Sequence, residues 1–195
     1  MTAPTSKSDR RSVETRARLL SAASELIAER GWASVSTRDL AARAGVNPAL
    51  VNYHFGGKSQ LLIAGAIESL QTLAGELEPV FAATSLDQLV EAALAFVQRT
   101  ARSQAVRVML EATLQAPLDP VVAGMVGVQI RAFRQLIATQ VRATPRFADP
   151  EAVALVVAAA LDGLLLHALA EPGTDLARAA EGFRELLRAG DVPKP

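Results

Sequence analysis

The stretch Ser36–Lys58, STRDLAARAGVNPALVNYHFGGK, decides how the rest of the chain is read. Ser36 stands three residues before Asp39, the spacing of a capping box in which each side chain accepts a backbone N–H at a helix start. Leu40, Ala41 and Ala44 follow at helical spacing, and Gly45 is the residue type that ends a helix in the left-handed conformation. Asn47 then precedes Pro48. An Asn cap followed by Pro is a start signal, because Pro has no N–H to leave unpaired and a φ already suited to the helix. Leu50, Val51, Tyr53 and Phe55 carry this second helix to Gly56 and Gly57. Two short helices joined through Ala44-Gly45-Val46-Asn47 form a helix-turn-helix, a motif that sends its second helix into the major groove of DNA.

Upstream, Leu19, Leu20, Ala23, Leu26 and Ile27 recur at spacings of three and four, which predicts an amphipathic helix over 13–30 capped by Gly31. Residues 1–12 are small, polar and basic and read as a flexible arm. Trp32, Val46, Val51 and Phe55 are expected in the core of this small domain. Downstream only helical patterns follow, over about 58–77, 85–102, 104–116, 120–143, 150–170 and 174–189. Asp119-Pro120 and Asp149-Pro150 are cap pairs that set two of these boundaries.

Half of the 195 residues are hydrophobic but only 4% are aromatic, so Ala, Leu and Val must build the core. That is the composition of closely packed helices and not of sheets. The net charge of zero hides an asymmetry. Residues 1–60 carry nine Arg and Lys against five Asp and Glu, whereas residues 61–195 carry eleven against fifteen. A basic N-terminal third on an acidic remainder implies that one end meets a polyanion. The chain has no cysteine, which excludes disulfides, a thiol nucleophile and thiolate metal sites. Its polar first twenty residues hold no apolar run of the kind a secretory signal needs. Two histidines, no nucleophile motif and no phosphate loop argue against an enzyme, and no cofactor or metal is expected.

Beyond the bare motif, LLSAASELIAERGWASVSTRDLAARAGVNPALVNYHFGGKSQLL (residues 19–62) carries an ordered string. A Gly-aromatic pair follows the first helix, Ser/Thr-x-Arg-Asp-Leu-Ala opens the second, Ala-Gly-Val makes the turn, and Tyr-His-Phe ends the third before Lys58. Residues 13–62 thereby resemble the DNA-binding domain of the tetracycline-repressor (TetR-like) family of bacterial regulators. The resemblance implies an all-α protein. A three-helix DNA-binding domain (13–57) would precede a larger helical domain for ligand binding and dimerisation (58–190), with a tail at 191–195. It departs from the family pattern at Gly57 and Ser59, where Ser and Glu are common, and at Asn52, where many relatives place an aromatic residue.

Operator recognition needs phosphate contacts for register and base-edge contacts for sequence. Near the start of the second motif helix stand Pro48, Ala49 and Asn52, of which Asn52 alone offers the paired donor and acceptor that suit adenine. The resemblance adds Arg38 as a further base-reading residue, with guanine its natural partner. It assigns Thr37, Tyr53, His54 and Lys58 to phosphates. An architectural protein that binds any DNA is the alternative, as is, more remotely, a small-molecule carrier.

The segment Ala152–Ala170 is apolar on every face and nearly long enough for a bilayer. Asp162 and His167 within it, and Glu151 and Glu171 at its ends, favour a soluble helix touching its own core on one side and a partner on the other. With the last helix it would build a four-helix interface between two copies, through Leu161, Leu165, Leu169, Phe183 and Leu187. Such a homodimer presents two reading helices to a palindromic operator. The resemblance also implies a small-molecule effector. Phe96, Met109, Thr113, Met125, Gln129 and Phe133 are candidate lining residues that suit a mostly apolar ligand. The expected outcome is a ligand-released repressor acting in the cytoplasm on the bacterial nucleoid.

Overall fold

The computed structural model describes residues 7–143, 147–171 and 173–188, and every regular element among them is helical. In chain order these are α1 (Lys7–Arg30), α2 (Thr37–Ala44), α3 (Ala49–Phe55), α4 (Lys58–Glu76), α5 (Glu78–Phe81) and α6 (Leu86–Thr100). There follow α7 (Gln104–Gln115), a 3-10 turn (Ala116–Leu118), α8 (Pro120–Arg142), α9 (Pro150–Ala170) and α10 (Leu176–Arg188). The chain divides into two compact units, one of residues 1–73 and 104–126, the other of residues 74–103 and 127–195.

Helix α1 starts six residues before the apolar spacing begins, because Asp9, Arg10, Arg11 and Ser12 continue the helix without contributing an apolar position. The expected arm therefore forms helix from Lys7 onward; residues 1–6, like the tail 191–195, lie outside the described residues. The caps follow the sequence closely. Ser36 Oγ accepts the Asp39 N–H at 3.2 Å while Asp39 Oδ2 accepts the Ser36 N–H at 3.0 Å, a complete capping box. At the other end of α2, Gly45 takes φ +64°, its N–H reaches the Ala42 carbonyl, and the Val46 N–H reaches Ala41. This double bond pattern closes a helix with glycine in the left-handed region. Asn47 Oδ1 accepts the Ala49 N–H at 2.9 Å, so Asn47 caps α3 as expected, with the helix starting one residue after Pro48.

The first unit has one core. Leu19, Leu26 and Ile27 of α1 meet Val35, Leu40, Val51, Leu61 and Leu62, with Trp32 buried beside them. Each such aliphatic side chain contributes roughly 1.5–3 kcal/mol by leaving water. Val46 and Phe55 are half-buried against this cluster. The same core includes Val108 and Ala112 of α7 and Val122 and Val126 of α8, so the unit is larger than residues 13–57. Helix α4 approaches α1 closely at Gly65, whose carbonyl accepts the buried Ser24 hydroxyl at 2.9 Å; Ser69 Oγ donates in turn to Ser24 Oγ.

Glu111 of α7 accepts the Trp32 N–H at 2.9 Å, just after Gly31 turns the chain with φ +80°. Glu111→Ala is expected to lower the free energy of unfolding by about 1–3 kcal/mol, since the half-buried N–H loses its acceptor. Glu111→Gln, which keeps an acceptor oxygen, should restore most of it. Urea titration read by the emission of Trp32, the sole tryptophan, tests this; an alanine variant as stable as the parent would refute it.

In the second unit α5, α6, α9, α10 and the remainder of α8 surround Leu89, Val97, Ile137, Val157 and Leu161. Ser85 caps α6, Asp149 Oδ1 caps α9 at the Ala152 N–H, and Pro150 opens that helix as expected. Arg184 of α10 grips Glu91 of α6 through both carboxylate oxygens. Helices Pro120–Arg142 and Pro150–Ala170 are long and apolar enough to cross a membrane by length and composition alone. In α9 one face is packed, through Ala154, Val157, Ala158, Leu161, Leu165 and Ala168. The opposite side leaves Leu155, Val156 and Leu166 more than half exposed. Leu161 and Leu165, expected at an interface between copies, are only 2% and 4% exposed and lie inside the protomer. Leu169, Phe183 and Leu187 are half-buried.

Candidate nucleic-acid interface

Pro48, Ala49, Asn52 and Tyr53 are all exposed along α3, Tyr53 to 79%, so the tyrosine does not serve the core. His54 and Thr37 are half-buried, and the His54 ring stands edge-on to Tyr53 with centroids 4.9 Å apart. An exposed aromatic hydroxyl beside an exposed amide is a surface suited to a hydrogen-bonding, charged partner.

Around this helix the charges sort themselves. Arg43 donates to Glu25 at 2.8 Å and to both oxygens of Glu29, tying α2 to α1. Those hydrogen bonds hold the Glu29 carboxyl below the usual range and push Arg43 further up. Arg30 pairs with Asp39 at 3.1 Å. Asp39 is lowered chiefly by the Ser36 hydroxyl and backbone N–H, with Arg30 assisting. Three of the five acidic groups in residues 1–60 are thus engaged by Arg30 and Arg43. Arg38 stays exposed, with no ion pair among the described residues. Neither Asp39, which pairs with Arg30, nor Glu25 and Glu29, which pair with Arg43, engages it.

Two further basic residues act within the unit. Arg16 of α1 donates to the His54 carbonyl at 3.0 Å, and its guanidinium lies 4.3 Å from the centroid of the Phe55 ring. It caps the end of α3 and stacks on its last aromatic residue, fixing the pose of the reading helix. Nothing in the local sequence marks this role, since Arg16 sits among other charged residues of an exposed helical face. Lys58 Nζ donates to the Val35 carbonyl at 2.9 Å, tying the start of α4 to the segment that leads into α2. An ammonium has three donors, so two remain for a phosphate. Lys58→Ala is accordingly expected to do two things. The slope of log affinity against log salt should fall by about 1. Stability should fall by about 1–3 kcal/mol as the Val35 carbonyl loses a charged donor. Unchanged slopes in titrations at several salt concentrations would confine Lys58 to the structural role.

Of the six residues expected to line a ligand site, Phe96, Gln129 and Phe133 lie in the second unit and Met109, Thr113 and Met125 in the first. Phe96 is buried, Phe133, Met109 and Met125 are half-buried, and Thr113 and Gln129 are exposed. The Thr113 hydroxyl donates to the Met109 carbonyl one turn back.

Comparison with known families places this geometry. Residues 19–64 match the model of bacterial regulatory proteins, tetR family, and residues 84–189 match that of the tetracyclin repressor-like C-terminal domain. The chain belongs to the tetR family of bacterial regulators. Over 168 residues this tetR-family chain is 29% identical to the HTH-type transcriptional regulator BetI of Rhizobium meliloti, covering 76% of its own length and 75% of the relative. Over 49 residues it is 55% identical to an HTH-type transcriptional repressor of Mycobacterium tuberculosis. That match spans about a quarter of either chain. The crystal structure of a transcriptional regulator from Rhodococcus sp. Rha1 superimposes with a TM-score of 0.77 at 25% identity, over 92% of this chain and 99% of that one.

Proposed function

We propose that this regulator is a sequence-specific repressor that binds a palindromic operator as a homodimer and is released by a small, mostly apolar ligand. The observation that carries the reading is the exposed set Arg38, Pro48, Ala49, Asn52 and Tyr53, on helices locked in place by the Ser36–Asp39 box, the Gly45 turn and the Arg16 clamp. Arg38 and Asn52 read bases, whereas Thr37, Tyr53, His54 and Lys58 hold phosphates.

The dimer forms through the outer side of α9 together with α10. Leu155, Val156 and Leu166 are exposed on α9 and Leu186 on α10, and exposed apolar side chains of this kind are covered in a stable soluble assembly. Two-fold symmetry then sets the reading helices about 34–36 Å apart, one turn of duplex. Ligand, held among side chains such as Phe96 and Phe133, favours a form whose reading helices no longer fit that spacing, and the coupling is reciprocal. The protein acts in the cytoplasm, on nucleoid DNA.

Selection from a random double-stranded library, followed by affinity for the winner against scrambled DNA at two salt concentrations, tests this. A palindromic winner bound about 10³-fold or more above scrambled DNA supports it. Uniform binding to all sequences favours the architectural reading, which the acidic balance of residues 61–195 speaks against.

A further inference from the structure

Between α3 and α4 the chain turns through Gly57 at φ +140°, a conformation that favours glycine. The missing side chain matters for a second reason. A Cβ added at Gly57 would lie 3.2 Å from the Gln60 amide oxygen and 3.8 Å from the Asn52 amide oxygen. The two amides therefore border one opening, their oxygens no more than about 7 Å apart, a span of about two base-pair steps at roughly 3.4 Å each. Both residues are exposed, and neither side chain has a hydrogen-bond or ionic partner among the described residues.

Gln60 is the third residue of α4, the place from which a glutamine can fold back and cap a helix start by accepting an N–H. Among the described residues its amide makes no such bond. The bond at this turn runs instead from the Leu61 N–H to the Gly57 carbonyl, at 3.2 Å. Lys58, two residues earlier, turns inward to the Val35 carbonyl. Gln60 thus keeps both its donor and its acceptor unspent beside Asn52.

We propose that Gln60 is a second base-reading residue, forming with Asn52 across Gly57 a paired-amide surface that favours adenine at two neighbouring positions of each half-site. A side-chain amide carries an acceptor and a donor side by side, the complement of the N6 and N7 edge that adenine shows in the major groove. Glycine at position 57 keeps the opening clear, so that both amides reach the same stretch of groove. The assignment rests on the reading of this chain as an operator-binding regulator and adds a residue to that same surface.

The test uses the full chain, the operator selected from the random library, and duplexes in which each half-site position is changed in turn. Gln60→Ala should weaken the selected operator at least fivefold and change binding to scrambled DNA less than twofold. It should also become indifferent to the base at one position per half-site, distinct from the position at which Asn52→Ala becomes indifferent. Gln60→Glu keeps an acceptor and loses the donor, so preference at that position should move from adenine to cytosine, whose amino group donates. Glutamate serves as a cap as well as glutamine does, so an altered preference in this variant does not come from a lost cap. Equal losses of Gln60→Ala on operator and scrambled DNA overturn the proposal and make Gln60 a phosphate contact. Indifference at the same position as Asn52→Ala overturns it too, leaving Gln60 to position Asn52. Base preferences unchanged in both variants overturn it while the operator reading stands, whereas a parent that binds all sequences alike overturns both.

Discussion

Adding one methyl group at Gly65 is expected to destabilise the DNA-reading unit by about 1–3 kcal/mol, and valine there should cost more. The added Cβ would stand 2.8 Å from Ala23 Cβ and 3.3 Å from the Leu20 carbonyl oxygen and the Ser24 nitrogen. Carbon atoms attract best at about 3.5–4.0 Å, so α1 and α4 must move apart. The obstacles are backbone and a completely buried alanine, and neither can swing aside as a long side chain would. Separation also stretches the Ser24–Gly65 hydrogen bond, and because Arg16 on α1 holds the end of α3, the disturbance passes to the reading helix. Urea unfolding followed at Trp32 measures the loss. Gly65→Ala combined with Ala23→Gly reopens the contact and should recover part of it, beyond the roughly 1 kcal/mol that glycine itself costs in a helix. A coupling energy in that double-mutant cycle below about 0.5 kcal/mol would remove the close-approach explanation.

The second large effect concerns the operator itself. Arg38→Ala should weaken the selected operator by about 1–3 kcal/mol, roughly 5–150-fold, with little change on scrambled DNA. Arg38 is exposed and has no ion pair among the described residues, so in the proposed role its guanidinium would reach a guanine edge without first breaking an ion pair inside the protein. Asn52→Ala, on the exposed face of α3, should show the same selectivity. Arg43→Ala provides the contrast, since its guanidinium is engaged by Glu25 and Glu29 and ties α2 to α1. Band-shift titrations of all three on both DNAs separate the roles. Equal losses of the Arg38 variant on operator and scrambled DNA would reassign that residue to phosphates.

Much of this architecture was legible because its boundaries are written in short-range chemistry. Ser36 with Asp39, Asn47 before Pro48, Asp119-Pro120 and Asp149-Pro150 are local hydrogen-bonding devices, and each caps where its spacing predicts. The misses have equally specific causes. Lys7–Ser12 is helical without an apolar rhythm. The short helix α5 lies between the expected helices 58–77 and 85–102 and carries Pro79 in its first turn, where the missing N–H costs nothing. In α9 every face is apolar, so periodicity cannot say which side is packed, and Leu161 and Leu165 fell on the wrong one. The residues of α2 and α3 proposed to meet DNA are named by the motif and the resemblance, whereas the contacts of Arg16 and the inward bond of Lys58 arise from partners 38 and 23 residues away.

The return of α7 and the first turns of α8 to the side of α1 bears on how such proteins are recombined. A chimera spliced after residue 57 would transplant α1 without Val108, Ala112, Val122 and Val126, leaving the grafted head to meet foreign side chains at that seam. Specificity swaps between regulators of this build are therefore best made by exchanging the exposed residues of α2 and α3 alone, or by carrying residues 104–126 along with the donor head, so that the cassette travels with its own neighbours.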